Sequence, residues 1–270
     1  PPVFIHTHLS EYLHGNINMG KNYDADLAAM LTNLSNENSL DNTFLLLMGD
    51  HGYRTKGFAS LPQGNIENNM PVLLIIPPKD LAAKHPDWLK NLKANADVLT
   101  SHWDIHHMFR DILGIAGGAE EVADVYKDHK VPGASLFSPL GRRSCTEAGV
   151  PLEFCSCPDG HITLDPSSVH DIAQAVLMDI NIFLKPMWGC RKLELANITS
   201  AVMKTEGKVI GLKAVLETTI EPVTFHLKLS RSGSHLSVSL TRSDMYSETS
   251  HCVPQEEPGA RQFCICPLVK

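Results

Sequence analysis

The chain has no cysteine before Cys145, although seven occur in its 270 residues. It also has no run of about 18 apolar residues, the length that a membrane-spanning helix needs, so we expect no membrane span within it. An excess of basic residues is missing too, since 23 Lys and Arg stand against 30 Asp and Glu for a net charge of −7. Such a chain is not attracted to a polyanion over long range, which argues against nucleic acid as a partner.

The first residues, Pro-Pro-Val, lack an initiator methionine and do not match the pattern of a secretory signal peptide. We therefore interpret the chain as a processed product or a fragment. Its hydrophobic content of 43%, with 18 Gly and 17 Pro, is typical of a globular protein. The length suffices for one sizeable core and a small second domain.

An apolar run from Thr43 to Met48 leads directly into Gly49-Asp50-His51-Gly52. A run without polar alternation predicts a strand buried on both faces of a parallel sheet. In open α/β sheets, ligands bind just past the carboxyl ends of the strands. Because Asp oxygen and neutral His nitrogen suit Zn, Mn or Fe, Asp50 and His51 are predicted metal ligands. The alternative is a turn in which Asp50 caps the next segment and His51 only packs.

The order of segments around this strand resembles the sulfatase/alkaline phosphatase superfamily, and more narrowly its secreted DUF229 branch, particularly the nematode members. The matching segments are residues 24–34, 40–43, 43–54, 64–67, 70–78 and 133–138. The resemblance implies an α/β fold in which residues 1–140 form the C-terminal part of an alkaline-phosphatase-like doubly wound sheet. It also implies a metal-dependent hydrolase or transferase of sulfate or phosphate esters, with a divalent cation such as Zn, Mn or Ca.

Three further residues are candidates for contact with the anionic ester. Arg54 follows the proposed ligands closely enough to pair bidentately with sulfate or phosphate oxygens, unless it is only a solvated loop charge. In the resembled family, a histidine of the N-terminal region contacts the anionic group or a second metal. His14 is the best match to that histidine and His8 the second, so we expect catalytic roles for His14, His8 and Arg54.

Local patterns predict the surrounding elements. Apolar residues at helical spacing over residues 24–36 predict an amphipathic helix packed on the sheet, with Asp24 as its cap. The less favoured alternative is Asp24 or Asp26 as a metal ligand. Residues 53–70 are expected to form a polar loop. Residues 99–113 predict a helix whose histidines, His102, His106 and His107, are interpreted as structural rather than metal-binding.

The resemblance also implies an acidic metal ligand and a Thr, Ser or modified Cys nucleophile on strands upstream of the Asp-His-Gly strand. The 49 residues before Asp50 contain no such pattern. We therefore expect the nucleophile in an N-terminal half that lies outside this chain, and no turnover by this chain alone. The alternative is a non-enzymatic extracellular protein that retains the scaffold for binding or structure.

Residues 141–270 predict a small disulfide-rich α+β domain, with a helix over 169–184 and strands within 193–240. Its cysteines form two similar patterns, Cys145-x9-Cys155-x-Cys157 and Cys252-x11-Cys264-x-Cys266, with Cys190 between them. These spacings favour disulfides over a zinc site, and the odd count leaves one thiol. Disulfides and the sequons at Asn33 and Asn197 together predict a secreted glycoprotein.

Overall fold

The computed structural model describes residues 3–9, 17–54, 58, 61–116, 131–157, 161–220, 223–242 and 249–267. They belong to two compact units, Pro1–Asp50 with Pro71–Val150, and His51–Met70 with Pro151–Lys270. The predicted combination of an α/β fold and a disulfide-rich sheet region is confirmed. The predicted domain boundary at residue 140 stays a prediction.

The described residues form seven α-helices and seven strands. The helices are α1 (Lys21–Asn36), α2 (Pro62–Asn69), α3 (Leu81–Lys84), α4 (Pro86–Ala94), α5 (His102–Ile115), α6 (His170–Leu184) and α7 (Pro258–Arg261). The strands are β1 (Leu45–Met48), β2 (Leu73–Ile76), β3 (His161–Thr163), β4 (Leu195–Glu206), β5 (Val209–Thr218), β6 (Thr224–Ser232) and β7 (His235–Arg242).

In the first unit, β1 and β2 form an antiparallel pair whose inner face packs on α5. Leu46 and Ile75 lie opposite each other on that face, and Met108 of α5 is fully buried in the same cluster. The outer face carries Leu47 and Leu74, which are 36% and 53% exposed. Burial of this strand on both faces was therefore a wrong expectation for the described residues, and the pairing that they show is antiparallel.

Helix α1 confirms the predicted helix but begins earlier, at Lys21. Asp24 consequently lies in the first turn and not at the cap, which is Gly20. An acidic residue in the first turn still favours the helix through the macrodipole. No described residue of α1 is buried, so its predicted packing on a sheet is not observed.

The second unit contains a five-stranded antiparallel sheet in the order β3-β4-β5-β6-β7. Residues of alternate position on these strands, such as Leu216 and Leu227, point into a core that α6 covers through Ala173 and Leu177. The helix predicted over 169–184 and the predicted strands are confirmed. Because side chains alternate across a strand, the opposite face of this sheet presents a different set of residues.

Two disulfides close the end of the second unit. Cys190 bonds to Cys264, and Cys252 bonds to Cys266, with S–S distances of 2.06 and 2.01 Å. They surround a small core with Leu184 at the end of α6. No helix of the described residues has both the length and the apolar character needed to cross a membrane.

Candidate metal ligands and a cationic sheet face

Asp50 and His51 directly follow the end of β1. The ladder between β1 and β2 continues for one more step, because the Gly49 amide donates to the Val72 carbonyl at 3.0 Å. Both side chains that come next are exposed. The structure thus places a carboxylate and an imidazole at a strand end, as the sequence indicated, while their role as metal ligands stays a prediction.

The tautomer of His51 is fixed by its neighbour. Its Nδ1 lies 2.7 Å from the Gly52 carbonyl oxygen. A carbonyl oxygen can only accept, so Nδ1 carries a proton and donates it to Gly52. Metal-binding histidines are typically oriented in this way, with one ring nitrogen donating to a carbonyl or carboxylate. In a ring held in this way, Nε2 is the atom that would bind a divalent cation.

Gly52 allows the chain to pass close to α2. Its amide donates to the Asn68 carbonyl at 2.9 Å. A Cβ atom at this position would lie 2.0 Å from the Glu67 carbonyl oxygen, so no other residue fits without movement of the helix. The segment expected to be a polar loop thus contains a helix, and the backbone of that helix fixes the residues after His51. The Glu67 side chain accepts from Gln63 at 3.0 Å, which is a contact within the helix.

The other predicted site residues are less constrained. Arg54 is exposed, and His8 is exposed in the segment 3–9, where its ring lies 6.4 Å from the ring of His6. His14 lies outside the described residues. Asp50 and His51 do not belong to any group of three or more potential metal ligands found within the described ranges. The catalytic roles of His14, His8 and Arg54 stay predictions.

The histidines of α5 fit the structural interpretation. His107 Nε2 lies 3.1 Å from the Pro132 carbonyl oxygen, and His106 packs edge-on against His107. Burial lowers the pKa of His106, and the neighbouring charges lower it further. A cavity of about 490 Å³ lies beside this helix and is lined in part by Trp88, His107 and Arg110. The sequence had not indicated this cavity.

Sequence reasoning also missed a buried ion pair at the start of α5. Asp104 is fully buried and pairs with Arg143 through both carboxylate oxygens. It also accepts from the Ser101 amide at 2.7 Å, which completes a capping box, and from the Ala134 amide at 2.9 Å. An arginine 39 residues further along the chain gave no local signal for this pair.

The cysteines form disulfides, as predicted. Besides the two pairs described above, Cys145 and Cys155 are also disulfide-bonded, and Cys157 keeps its thiol. The sulfurs of one group lie within 4.8 Å of one another, which is close enough to share a metal ion: Cys190, Cys252 and Cys264. Metal ions bind thiolates, so this group could hold a metal only after reduction of its disulfides.

The face of the five-stranded sheet that lies away from α6 carries three lysines on neighbouring strands. Lys204, Lys213 and Lys228 belong to β4, β5 and β6, and Lys213 pairs directly with Lys228 in the register. The segment from Leu152 to Cys157 covers part of this face. Lys204 Nζ lies 3.0 Å from Cys155 Sγ and donates to the Cys157 carbonyl at 3.1 Å. No sequence pattern had distinguished these lysines from solvated ones.

The electrostatics of this cationic face are unusual for lysines. Burial lowers the pKa of Lys213 to about 8, and the charges of Lys228 and Lys204 lower it further. Burial likewise lowers the pKa of Lys228 to about 8. The Lys228 ammonium lies 4.2 Å from the centre of the Phe154 ring, a cation–π distance. Lys213 and Lys228 are therefore charged at neutral pH, although their burial disfavours the charged form.

Comparison with known proteins gives one match. A family model described as a protein of unknown function (DUF229) covers residues 1–199. That range includes β1, the Asp-His pair, α5 and the start of β4. No curated protein and no solved structure matches the chain.

Proposed function

The chain belongs to the DUF229 family, and from that membership we propose that it supplies Asp50 and His51 as metal ligands to a hydrolase or transferase of sulfate or phosphate esters. The observation that carries the proposal is the form of His51. Its Nδ1 proton is held by the Gly52 carbonyl, beside an exposed carboxylate at a strand end. This arrangement presents one nitrogen and one oxygen donor of the kinds that bind divalent cations in catalytic sites.

Each residue has a separate task in this proposal. Asp50 contributes negative charge to the cation, and His51 contributes its Nε2 lone pair. A divalent cation, when bound, would neutralise charge on the ester oxygens. Arg54, three residues beyond His51, clamps ester oxygens bidentately, and His8 and His14 contact the anionic group. Gly52 keeps this arrangement in place, because its close contact with α2 leaves the backbone little freedom.

Two donors are fewer than a catalytic ion needs, since zinc enzymes use three protein ligands and one open position. No third ligand joins Asp50 and His51 in a group within the described ranges. From the superfamily resemblance, we propose that the remaining ligands and the nucleophile belong to an N-terminal part of the same protein. It follows that this chain alone binds a metal weakly and does not turn over substrate.

The cellular setting follows from the cysteines. Disulfides persist in oxidising compartments and are rare in the cytosol. Six of the seven cysteines are disulfide-bonded. We place the protein in the secretory pathway or outside the cell, with the sequons at Asn33 and Asn197 as glycosylation sites, both on exposed residues.

A second candidate function is extracellular binding without catalysis. The cationic face of the sheet favours it, because a row of lysines held against a disulfide-bonded segment is suited to an anionic ligand and has no part in the metal chemistry. The two functions are separable by experiment, since they depend on different residues.

The test of the enzymatic proposal uses, as its control, a second pair of consecutive carboxylate and imidazole side chains elsewhere in the chain. His170 and Asp171 are also consecutive and exposed, with 3.6 Å between Nδ1 and Oδ1. Zinc and manganese binding is measured by calorimetry on three chains: wild type, Asp50→Asn/His51→Gln and His170→Gln/Asp171→Asn. We expect the first double variant to lose one bound equivalent and the second to bind as wild type does. Equal binding by both variants would refute the metal site.

Activity is measured in parallel on this chain and on a chain extended upstream, with aryl phosphate, phosphodiester and aryl sulfate probes. The expected result is hydrolysis by the extended chain alone, with loss of activity in its Asp50→Asn form. Turnover by the short chain that disappears in Asp50→Ala contradicts the claim that the site is incomplete. Metal binding by the extended chain without hydrolysis of any probe would favour the binding function.

A further inference from the structure

We propose that the cationic face of the five-stranded sheet binds a sulfate or phosphate group carried on a sugar, with Lys213 and Lys228 as the charged contacts and hydroxyls of β6 and β7 beside them. This inference does not depend on the metal ligands at β1. It develops the second candidate function, binding without catalysis, so its failure would remove that candidate and leave the proposed metal site intact.

The register of the sheet places the contacts in a row. Lys213 of β5 lies opposite Lys228 of β6, which lies opposite Ser239 of β7. Neighbouring strands are about 4.8 Å apart, so the flexible side chains of the two lysines start from adjacent positions and can converge on one tetrahedral oxyanion, with the hydroxyl on the next strand beside them. The adjacent row contributes Ser230 opposite Ser237. A sugar attached to the oxyanion would therefore meet a surface of hydroxyl groups.

The cover over this face is partial: Lys228 beneath it is 7% exposed, and the neighbouring hydroxyl side on β7 is open. Leu152 packs against Gly211 of β5, where a Cβ atom would lie 2.7 Å from the Leu152 Cβ. The Cys155 carbonyl accepts from Lys213 Nζ at 3.0 Å, also on the β5 side. By contrast, Ser237 on β7 is exposed and Ser239 is half-buried. Phe154, at the margin of the cover, is 40% exposed over Lys228.

One carboxylate acts on Lys213 and Lys228. Glu153, which is 5% exposed, raises the pKa of both lysines only as a secondary influence. Glu153 Oε2 is buried without a hydrogen-bond partner. An excess of buried cations is what an anionic ligand would offset.

The lysines also have unused hydrogen-bonding capacity. An ammonium group has three donors. Lys213 uses one of them, on the Cys155 carbonyl, and Lys228 makes only the contact with the Phe154 ring among the described residues. Oxyanions accept several charge-assisted hydrogen bonds at once, and such bonds are about twice as strong as neutral ones. The ligand class is therefore a compact anion with several oxygens, on a hydroxyl-bearing carrier.

The test compares four probes at pH 7 by calorimetry on the whole chain: N-acetylglucosamine 6-sulfate, N-acetylglucosamine 6-phosphate, N-acetylglucosamine and inorganic sulfate. We expect at least one ester to bind more tightly than the neutral sugar, and inorganic sulfate to displace it. The ester that binds more tightly identifies the source of the oxyanion. Equal binding of ester and neutral sugar, or no binding of either ester at 10 mM (about 2.7 kcal/mol of binding free energy), would overturn the proposal.

Variants separate this site from general charge attraction. Lys228→Gln removes one charged contact and should weaken ester binding about tenfold, while Lys228→Arg should retain most of it. Lys208→Gln is the matched control. Lys208 is exposed in the turn between β4 and β5, and its replacement removes the same charge. Equal weakening by Lys228→Gln and Lys208→Gln would show non-specific attraction and refute the site.

A measurement on the wild-type chain covers the case in which Lys228→Gln does not fold. Lysines are acetylated with limiting acetic anhydride at pH 8, with and without the ester, and the sites are quantified by mass spectrometry. Bound ester should protect Lys213, which is half-buried, severalfold and leave the exposed Lys208 unchanged. Identical labelling of Lys213 in both samples contradicts the proposal.

Discussion

Replacement of Asp104 by alanine is expected to lower the free energy of unfolding of the first unit by about 3–5 kcal/mol. The Asp104 side chain is fully buried, and the Arg143 side chain paired with it is 8% exposed. The variant leaves a buried guanidinium without its counter-charge. It also removes the acceptor of the Ser101 and Ala134 amides.

The magnitude follows from these separate losses. An orphaned buried amide costs about 1–3 kcal/mol, and loss of one partner of a buried ion pair costs about 3–5 kcal/mol. The losses are not additive, because one carboxylate serves all the donors and the loops around it relax together. Arg143 keeps two hydrogen bonds to the Leu99 carbonyl, at 2.8 and 2.7 Å, which limits the loss in free energy of unfolding.

The assay is urea unfolding followed by tryptophan fluorescence in a Trp188→Phe background. Trp188 belongs to the second unit and is 94% exposed, so its removal leaves Trp88 and Trp103 as reporters of the first unit. Asp97→Ala is the control, since this exposed carboxylate should change stability by less than about 0.5 kcal/mol.

A double-variant cycle then isolates the pair. Arg143→Met combined with Asp104→Ala should cost at least about 2 kcal/mol less than the sum of the single variants. A loss below about 1 kcal/mol in Asp104→Ala, or strict additivity in the cycle, would refute the claim that this pair connects the start of α5 to the following loops.

Three further predictions concern the second unit and its boundaries. Gly52→Ala should destabilise the chain by about 1–3 kcal/mol, because its Cβ would overlap the backbone of α2, whereas Gly114→Ala, with nothing within 4 Å, should be neutral or stabilising in thermal unfolding. Burial, and then Lys228, lowers the pKa of His226 to about 4, so the unfolded state binds more protons than the folded state between pH 4 and 6.5. Stability should rise with pH over that window, and a slope that His226→Gln leaves unchanged would contradict this origin. Loop entropy predicts that replacing both cysteines of one disulfide with serine lowers the free energy of unfolding by about 4.5 kcal/mol for the longer loop and about 3 kcal/mol for the shorter one. Equal urea midpoints for the two variants would show that loop length does not set the loss of stability. These disulfides close sequence separations of 74 and 14 residues: Cys190–Cys264 and Cys252–Cys266.

The elements that the sequence predicted best are those whose local pattern matches their surroundings. Strands β6 and β7 alternate apolar and polar residues, and they form a sheet with one core face. Helix α6 has its apolar residues at helical spacing and covers that face. Here the period of the sequence and the burial in the fold agree, so no long-range information was needed.

The errors arose where contacts distant in the chain decide the structure. Helix α2 lies in a polar stretch with Pro62 at its start and Gly64 within it, so local propensity did not reveal it. The exposure of Leu47 depends on what packs against β1, which the run of apolar residues does not specify. Lys213 and Lys228 have the sequence pattern of ordinary polar positions, because the residues that cover them lie 58 and 74 positions earlier in the chain.

The candidate metal site was predictable only where its signal is local to the sequence. Asp50 and His51 follow an apolar run, which is a local signal, and their position at the end of β1 agrees with it. The tautomer of His51 depends on a neighbouring carbonyl, and the constraint on Gly52 depends on a helix more than ten residues away. Neither can be read from residue types alone.

The bond between Cys190 and Cys264 also determines how a cleaved molecule would behave. A protease that cuts once anywhere between these two residues leaves both pieces covalently joined, because the bond spans the whole intervening sequence. On a gel without reductant, the nicked protein would migrate as a single band. Only reduction would release the C-terminal piece, so processing in this region goes unnoticed in samples that have not been reduced.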